Sequence, residues 1–209
     1  MRNLIVAGIG TEVGKTVVSA ILTKALQAEY WKPIQAGNLE ASDTATVSRL
    51  VDDPTLICHP EVYRLKHAFS PHQAAELEGL NIAPDTLCLP QGNKPLIIEG
   101  AGGLLVPLTD DQLQLDVYAK WPCDWILVSK HYLGSINHTL LALEALQRRQ
   151  LSLVGVIFNG SPNPATERII RRYAGNQVAY LRLQPESLIH SQIIKQYAET
   201  WKPYLTHLI

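Results

Sequence analysis

The sequence lacks the features of a membrane or secreted protein. No run of about 18 apolar residues occurs, so no segment is long enough to form a transmembrane helix. The apolar stretch 4–9 is too short for a signal peptide and leads directly into a polar, glycine-containing segment. Only three cysteines occur, Cys58, Cys88 and Cys123, and their wide separation excludes a CxxC motif and a zinc-binding spacing. We therefore expect a cytoplasmic protein from a reducing compartment, without a membrane partner.

A surplus of basic charge is also missing. Lys and Arg total 18, Asp and Glu total 19, and the formal net charge at pH 7 is −1. Nucleic-acid-binding domains normally carry a basic excess, so we expect no nucleic-acid partner. The sequence has 209 residues, no internal repeat and no low-complexity tract. It predicts one domain over residues 1–209 with a well-developed core.

Short apolar runs alternate with amphipathic helical patterns along the chain. We predict strands at residues 4–8, 30–35, 95–99, 125–129, 153–159 and 178–183. We predict helices at residues 16–27, 43–51, 72–78, 136–149, 165–173 and 187–201. This alternation indicates an α/β fold with a mostly parallel central sheet and helices on both faces. Ligands of such sheets bind at the carboxyl ends of the strands.

A glycine-rich turn links the first predicted strand to the first helix. Residues 8–16 read GIGTEVGKT. Backbone N–H groups of such a turn bind phosphate oxygens, Lys15 offers its charge to the β and γ phosphates, and Thr16 offers a hydroxyl to Mg²⁺. The strict pattern G-x-x-x-x-G-K-[ST] requires glycine where Ile9 stands, so an ordinary turn that happens to contain Gly-Lys-Thr is the alternative. The strand before and the helix after favour a phosphate-binding P-loop.

A single acid ends a buried strand. Glu99 follows the apolar residues 96–98 and precedes Gly-Ala-Gly-Gly. An acid at this edge of the sheet takes the Walker B position, where a carboxylate binds Mg²⁺ directly or through water. The alternative is a tight turn with an exposed glutamate, which the P-loop in the same chain disfavours.

Five segments carry a more specific signal. They are residues 8–16, 32–37 (KPIQAG), 70–79 (SPHQAAELEG), 99–108 (EGAGGLLVPL) and 133–138 (LGSINH). In this order they resemble the motifs of the dethiobiotin synthetase family. The resemblance implies a P-loop NTPase fold, ATP and Mg²⁺ as cofactors, a ligase of biotin biosynthesis, and a homodimer. In that family, CO₂ (from bicarbonate) carboxylates an amine of 7,8-diaminopelargonate, the carbamate attacks the γ-phosphate of ATP, and the second amine closes the ureido ring.

The resemblance also implies roles for individual residues. Catalysis is assigned to Lys15 and Lys32. Mg²⁺ is assigned to Thr16, Asp43 and Glu99. Nucleotide binding is assigned to Thr11, Glu12, Val13, Gly14, Lys15, Thr16, Val17 and Asn159. Substrate binding is assigned to Thr11, Lys32, Gly102, Gly103, Leu133, Gly134 and Asn137, the last three lying across a dimer interface whose apolar core we expect from Leu140, Leu141 and Leu143.

Two of these residues have simpler interpretations. Lys32 alone could be a surface lysine at the end of a strand. Asp43 alone could be a first-turn acid in a helix capped by Ser42. His72 and His138 suit structural roles near helix starts, and we assign neither a catalytic role.

The sequence departs from the family pattern in four places. Gly10 stands where aspartate is usual, Ala36 replaces a small hydroxyl residue, and Tyr132 replaces a commonly basic residue. A Gly-x-Ile-Pro segment, which contributes to the nucleotide-base pocket of the family, is not apparent around residues 178–184. These departures leave nucleotide selectivity open and make a catalytically impaired relative an alternative.

Two other classes of protein are alternatives. P-loop switch ATPases of the partition or septum-positioning type carry an extra lysine at the position of Gly10 and often end in a basic amphipathic helix. The predicted helix 187–201 has Lys195 as its one base, which disfavours this class. An amidotransferase-type synthetase acting on a corrinoid needs a glutaminase domain, for which 209 residues leave no room.

Overall fold

A seven-stranded parallel sheet forms the centre of the protein in a computed structural model that describes residues 2–205. In order across the sheet the strands are β4 (Cys58–His59), β2 (Glu29–Trp31), β6 (Leu96–Gly103), β1 (Asn3–Gly8), β7 (Cys123–Lys130), β8 (Leu153–Asn159) and β9 (Ala179–Leu183). Each neighbouring pair is parallel. Two short strands, β3 (Ile34–Ala36) and β5 (Tyr63–Leu65), pair with each other in parallel.

Helices cover both faces of this sheet. In chain order they are α1 (Lys15–Leu26), α2 (Asp43–Val51), α3 (Pro71–Leu77), α4 (Gln114–Tyr118), α5 (Ser135–Arg148), α6 (Pro164–Ala174) and α7 (Ser191–Leu205). Side chains alternate along β1, so Leu4 and Val6 join the core beneath α1, α2 and α7. Ile5 and Ala7 join the core beneath α3 to α6. The predicted α/β fold is confirmed.

The predicted strand 30–35 is wrong as a single element. It breaks at Lys32 and Pro33, which leaves β2 in the main sheet and β3 in the small one. Proline has no N–H for a strand ladder, and the Pro33 carbonyl accepts instead from the N–H groups of Val62 and Tyr63. The break leaves Lys32 at the end of β2, on the carboxyl edge of the sheet.

The last helix packs against its own domain. α7 begins at Ser191 rather than at the predicted residue 187. The Tyr197 hydroxyl of this helix accepts the N–H of Gln184, which ties the preceding segment to α7. Ile194 and Trp201 are buried in the core that also contains α1. Within residues 2–205, the helices are too short or too polar to cross a bilayer.

Candidate active site

The loop between β1 and α1 presents backbone N–H groups at the carboxyl edge of the sheet. Glu12 (φ 56°) and Gly14 (φ 98°) have left-handed backbones, a geometry that turns neighbouring N–H groups toward an anion. No side chain of the described residues caps the start of α1 at Lys15, and free N–H groups at a helix N-terminus attract phosphate. A side chain on Gly14 would begin 2.5 Å from Nδ2 of Asn159. Backbone and space therefore both require glycine there.

Polar side chains hold this loop in place. Nδ2 of Asn159 donates to the Val13 carbonyl at 2.8 Å, and Nζ of Lys130 donates to the Glu12 carbonyl at 3.2 Å. Nζ of Lys15 turns back and donates to a loop carbonyl at 3.1 Å. The sequence analysis missed Lys130, which carries no motif of its own and is identified by its position at the end of β7.

The proposed metal-binding residues meet at one point. Oγ1 of Thr16 lies 2.8 Å from Oδ1 of Asp43 and 2.9 Å from Oε1 of Glu99. Nζ of Lys32 donates to Oδ2 of Asp43 at 2.5 Å and to Oε1 of Glu99 at 3.2 Å. The hydroxyl of Tyr30, which the sequence analysis also missed, donates to the other oxygen of Glu99 at 3.0 Å. Segments far apart in sequence thus form one polar cluster.

Burial excludes the simpler interpretations of two residues in this cluster. Lys32 is 4% exposed and Glu99 is 1% exposed, so neither is a surface residue. Asp43 fits both of its interpretations. Ser42 caps α2 by accepting the N–H of Ala45, and Asp43 is the first residue of that helix while its carboxylate faces the cluster.

Opposite charges balance in the cluster and shift its pKa values. Burial alone would raise the pKa of Asp43, but the Lys32 ammonium, the Thr16 hydroxyl and Lys15 together hold that pKa below its usual value. Burial alone would lower the pKa of Lys32, but Glu99 and Asp43 outweigh it and raise the pKa. For Lys15, burial prevails over the attraction of Glu99 and lowers the pKa to about 8. An anion that binds beside Lys15 would therefore favour the charged form of this lysine.

A cavity of about 660 Å³ opens over the cluster. The residues assigned from the sequence that border it are Thr11, Glu12, Gly14, Lys15, Thr16, Val17, Lys32, Asp43, Glu99 and Gly102. Val13 borders a neighbouring cavity of about 390 Å³. Gly103 lies against the P-loop, because a Cβ on it would be 3.6 Å from Cα of Gly10.

Three residues assigned to substrate binding, Leu133, Gly134 and Asn137, are not among the described residues that line the main cavity. Leu133 and Gly134 precede α5 and Asn137 lies in its first turn. Within residues 2–205 no side chain caps the N-terminus of α5, which leaves N–H groups free for an anion such as a carboxylate. The hydroxyl of Tyr132 pairs with Nδ1 of His138 at 2.8 Å.

The expected interface face of α5 needs correction. Leu143 is 2% exposed and belongs to the core of its own subunit, so its assignment to an interface is wrong. Leu140 is half-buried against the same core. Leu141 is 55% exposed, Ile136 is 37% exposed, and Leu133 is fully exposed. The free apolar surface therefore lies nearer the start of the helix than expected.

Comparisons with known proteins extend along nearly the whole chain. A family model described as an AAA domain matches residues 2–190. The ATP-dependent dethiobiotin synthetase BioD of Chlamydia abortus is 49% identical over 201 residues, which cover 96% of this chain and 94% of the relative. The BioD protein of Cytophaga hutchinsonii is 48% identical over 199 residues, which cover 95% of this chain and 96% of the relative. The chain belongs to the dethiobiotin synthetase family.

Solved structures outside the dethiobiotin synthetase family share the fold. A ParA family ATPase from Chlorobium tepidum has a TM-score of 0.52 and 12% identity, covering 98% of this chain and 91% of that one. The cell division ATPase MinD of Pyrococcus furiosus has a TM-score of 0.53 and 15% identity, covering 98% and 100%. At such identities the likeness concerns the fold alone. The partition or septum-positioning alternative thus shares the architecture of the family, while the sequence relatives favour dethiobiotin synthesis.

Two departures from the family pattern have a structural context. Around Gly10, no described atom lies within 4 Å of the position that a Cβ would take, so packing does not exclude the aspartate that is usual in the family. Ala36 borders the main cavity. Its methyl group leaves that part of the wall without the hydroxyl that the family usually has.

Proposed function

We propose that the chain makes dethiobiotin from 7,8-diaminopelargonate, CO₂ and ATP, as a cytoplasmic enzyme of biotin biosynthesis. The observation that carries the proposal is the convergence of Lys15, Lys32, Thr16, Asp43 and Glu99 on one cavity, in a chain of this family. The reaction brings a carbamate against a triphosphate. Two ammonium groups and a helix N-terminus reduce the repulsion between these anions and hold them in line.

The proposed chemistry forms two carbon–nitrogen bonds. One amine nitrogen bonds to the carbon of CO₂ and loses a proton to water. The carbamate oxygen then attacks the γ-phosphorus and ADP leaves. The second amine then attacks the carbonyl carbon, phosphate leaves, and the amine proton passes to water or to the departing phosphate. Lys15 binds the β and γ phosphates, and Lys32 contacts the carbamate and the γ-phosphate. The nucleophile that attacks phosphorus is already an anion, so this step needs no general base.

The oxygens of Thr16, Asp43 and Glu99 fit a Mg²⁺ ion. Mg²⁺ prefers oxygen ligands and commonly takes one or two carboxylates, with phosphate and water as the rest. The Thr16 hydroxyl lies within 2.9 Å of both carboxylates. In residues 2–205, no group of three or more His, Cys, Asp or Glu side chains is placed to hold a metal. When bound, Mg²⁺ would neutralise charge on the phosphates.

The remaining assignments complete the proposal. The backbone of residues 11–17 binds the phosphates and Asn159 contacts the base. Gly102 and Gly103 allow the amine end of the substrate to approach the backbone closely. The protein is a homodimer, in which the substrate carboxylate binds at Leu133, Gly134 and Asn137 of the partner subunit. The exposed Leu133 and the uncapped start of α5, as seen in the described chain, support this arrangement.

A product assay tests the proposed function. ATP hydrolysis is measured with and without 7,8-diaminopelargonate and bicarbonate, and the product is identified by mass. We expect ADP and dethiobiotin in equal amounts, with both substrates required. An ATP hydrolysis rate that does not change when 7,8-diaminopelargonate is added would contradict the proposal and favour a switch ATPase.

A further inference from the structure

Two buried glutamines hold backbone segments next to the carboxylates of the candidate active site. Gln35 lies in β3 and Gln114 opens α4, and they are 5% and 3% exposed. A buried amide needs partners for its N–H groups and its oxygen. In both residues these partners are backbone atoms of the adjacent loop. The sequence analysis assigned a role to neither residue, although Gln35 stands in the segment 32–37 and borders the main cavity.

Gln35 closes the loop that leads to Asp43. Its Oε1 accepts the Asp43 N–H at 3.1 Å, and its Nε2 donates to the Gly37 carbonyl at 2.9 Å. One amide therefore bridges the two ends of the segment 37–43, whose backbone is left-handed at Gly37 and Asn38. Asp43 opens α2, and an N–H at that position has no partner inside its own helix. The placement of Asp43 thus depends on Gln35.

Gln114 holds the segment that follows Glu99. Its Oε1 accepts the Ala101 N–H at 2.7 Å, and its Nε2 donates to the Gly103 carbonyl at 3.3 Å. The pairing of β6 with β1 slips between Glu99 and Gly103, so the residues between them leave the regular ladder. Gln114 supplies side-chain hydrogen bonds to this irregular segment.

We propose that Gln35 and Gln114 are positioning residues with separate tasks. Gln35 fixes Asp43 for metal binding, and Gln114 fixes Gly102 and Gly103 for the diamine. The proposal rests on the proposed function. Each side-chain amide sets the position of a different backbone segment. Removing the Gln35 amide should therefore weaken metal binding, and removing the Gln114 amide should weaken diamine binding.

Methionine variants separate the two tasks. Methionine resembles glutamine in length and flexibility, so Gln35→Met and Gln114→Met fill the space while removing the amide hydrogen bonds. The measurements use a non-hydrolysable ATP analogue. The Kd of Mn²⁺, in place of Mg²⁺, is obtained by electron paramagnetic resonance, and the Kd of 7,8-diaminopelargonate by calorimetry.

The expected changes are selective. Gln35→Met should weaken Mn²⁺ binding by about 10- to 100-fold, the usual effect of losing the support behind a metal ligand. Gln114→Met should weaken diamine binding by about three- to tenfold, because the segment that contains Gly102 and Gly103 loses both of its hydrogen bonds to Gln114. Each variant should leave the other Kd close to the wild-type value, so each is a control for the other.

Tyr180→Phe serves as a control for simple destabilisation. It removes a 2.6 Å hydrogen bond from the Tyr180 hydroxyl to the Gly175 carbonyl and should change neither Kd. The proposal is wrong if the glutamine variants also change neither Kd, or change both equally. Should a methionine variant not fold, Gln35→Asn and Gln114→Asn carry the same expectations, because they keep the amide and shorten its reach. A wild-type chain that binds no diamine overturns the proposed function and the task of Gln114, whereas Mn²⁺ binding decides the task of Gln35 by itself.

Discussion

The ammonium nitrogen of Lys32 lies 2.5 Å from a carboxylate oxygen of Asp43. It also lies 3.2 Å from Glu99, and the Thr16 hydroxyl is shared between the two carboxylates. Lys32 thus neutralises the same carboxylates that we propose as ligands of Mg²⁺. The Lys32 ammonium thus places positive charge against the two carboxylates, as the proposed Mg²⁺ would.

Replacing Lys32 should therefore make stability depend on Mg²⁺. Lys32→Met leaves the buried Glu99 and the half-buried Asp43 side by side without the lysine between them. It should lower the free energy of unfolding by about 3–5 kcal/mol, because the Glu99 carboxylate loses a buried partner. Added Mg²⁺ should restore part of this loss, because a ligand of the native state stabilises it. Urea unfolding with and without MgCl₂ measures both effects. Lys130→Met is the control, since that ammonium donates to a backbone carbonyl. Equal unfolding midpoints for Lys32→Met and the wild type would contradict the prediction.

Replacing Lys15, unlike replacing Lys32, should lower turnover without lowering the free energy of unfolding. Its ammonium donates to the Gly10 carbonyl, and burial lowers its pKa to about 8. A folded pKa below the usual 10.5 means that folding disfavours the charge, so Lys15→Met should not lower the free energy of unfolding at pH 7. Turnover should fall by about 10²–10³-fold, because a donor to the transferring phosphate is lost.

Steady-state kinetics and urea unfolding of the same preparation check this prediction. Lys24→Met is the matched control, because Lys24 lies at the other end of α1 and donates to the Val51 carbonyl. That variant should keep its turnover. Normal turnover in Lys15→Met would remove this lysine from the phosphate site.

The motif residues of the site could be predicted because parallel strands end at one edge. That rule and the Gly-Lys-Thr sequence are enough to place Lys15, Thr16 and Glu99 together. Asp43 was ambiguous, since a first-turn acid of a helix and an acid of the site follow the same local pattern. In the structure Asp43 lies in the first turn of α2 and its carboxylate accepts from the Thr16 hydroxyl, so this residue fits both interpretations.

The supporting residues could not be predicted in the same way. Tyr30 reaches Glu99, which lies 69 positions further along the chain, and Gln114 reaches Ala101 in the irregular segment after Glu99. Neither contact leaves a local pattern, because each depends on how distant segments pack. The short strand β5 was missed for a related reason, since it forms only where β3 leaves the main sheet after Pro33.

Nucleotide choice should be looser than is usual in the family. Nδ2 of Asn159 already donates to the Val13 carbonyl, and the Gly-x-Ile-Pro segment of the family is not apparent after β8. Discrimination between similar ligands comes mainly from buried polar groups that the wrong ligand leaves unpaired. We expect CTP and GTP each to support more than about one hundredth of the ATP rate.

Initial rates at saturating concentrations of ATP, CTP and GTP measure this nucleotide selectivity. Asn159→Ala should slow the reaction with all three nucleotides, because the lost hydrogen bond also holds the P-loop. Rates with CTP and GTP below about one hundredth of the ATP rate would show that the base pocket is selective after all.

Mixed dimers should reveal whether the active sites are shared between subunits. Lys15→Ala removes the phosphate lysine, Asn137→Ala removes the proposed partner contact, and each homodimer should be inactive. If one site uses Lys15 of one subunit and Asn137 of the other, a heterodimer has one intact site. A two-fold dimer formed by random exchange of equal amounts should then regain about one quarter of the wild-type activity.

The same mixture distinguishes a shared site from a site within one subunit. If Lys15 and Asn137 served the same subunit's site, each site of the heterodimer would lack one of them and no activity would return. Subunit exchange is verified by native mass spectrometry before the assay. Leu141→Glu is the control for the interface, because Leu141 is 55% exposed in the single chain and a buried charge there should prevent dimerisation. Verified exchange without recovered activity would contradict the shared site, whereas recovery that Leu141→Glu abolishes would place the apolar surface of α5 at the interface.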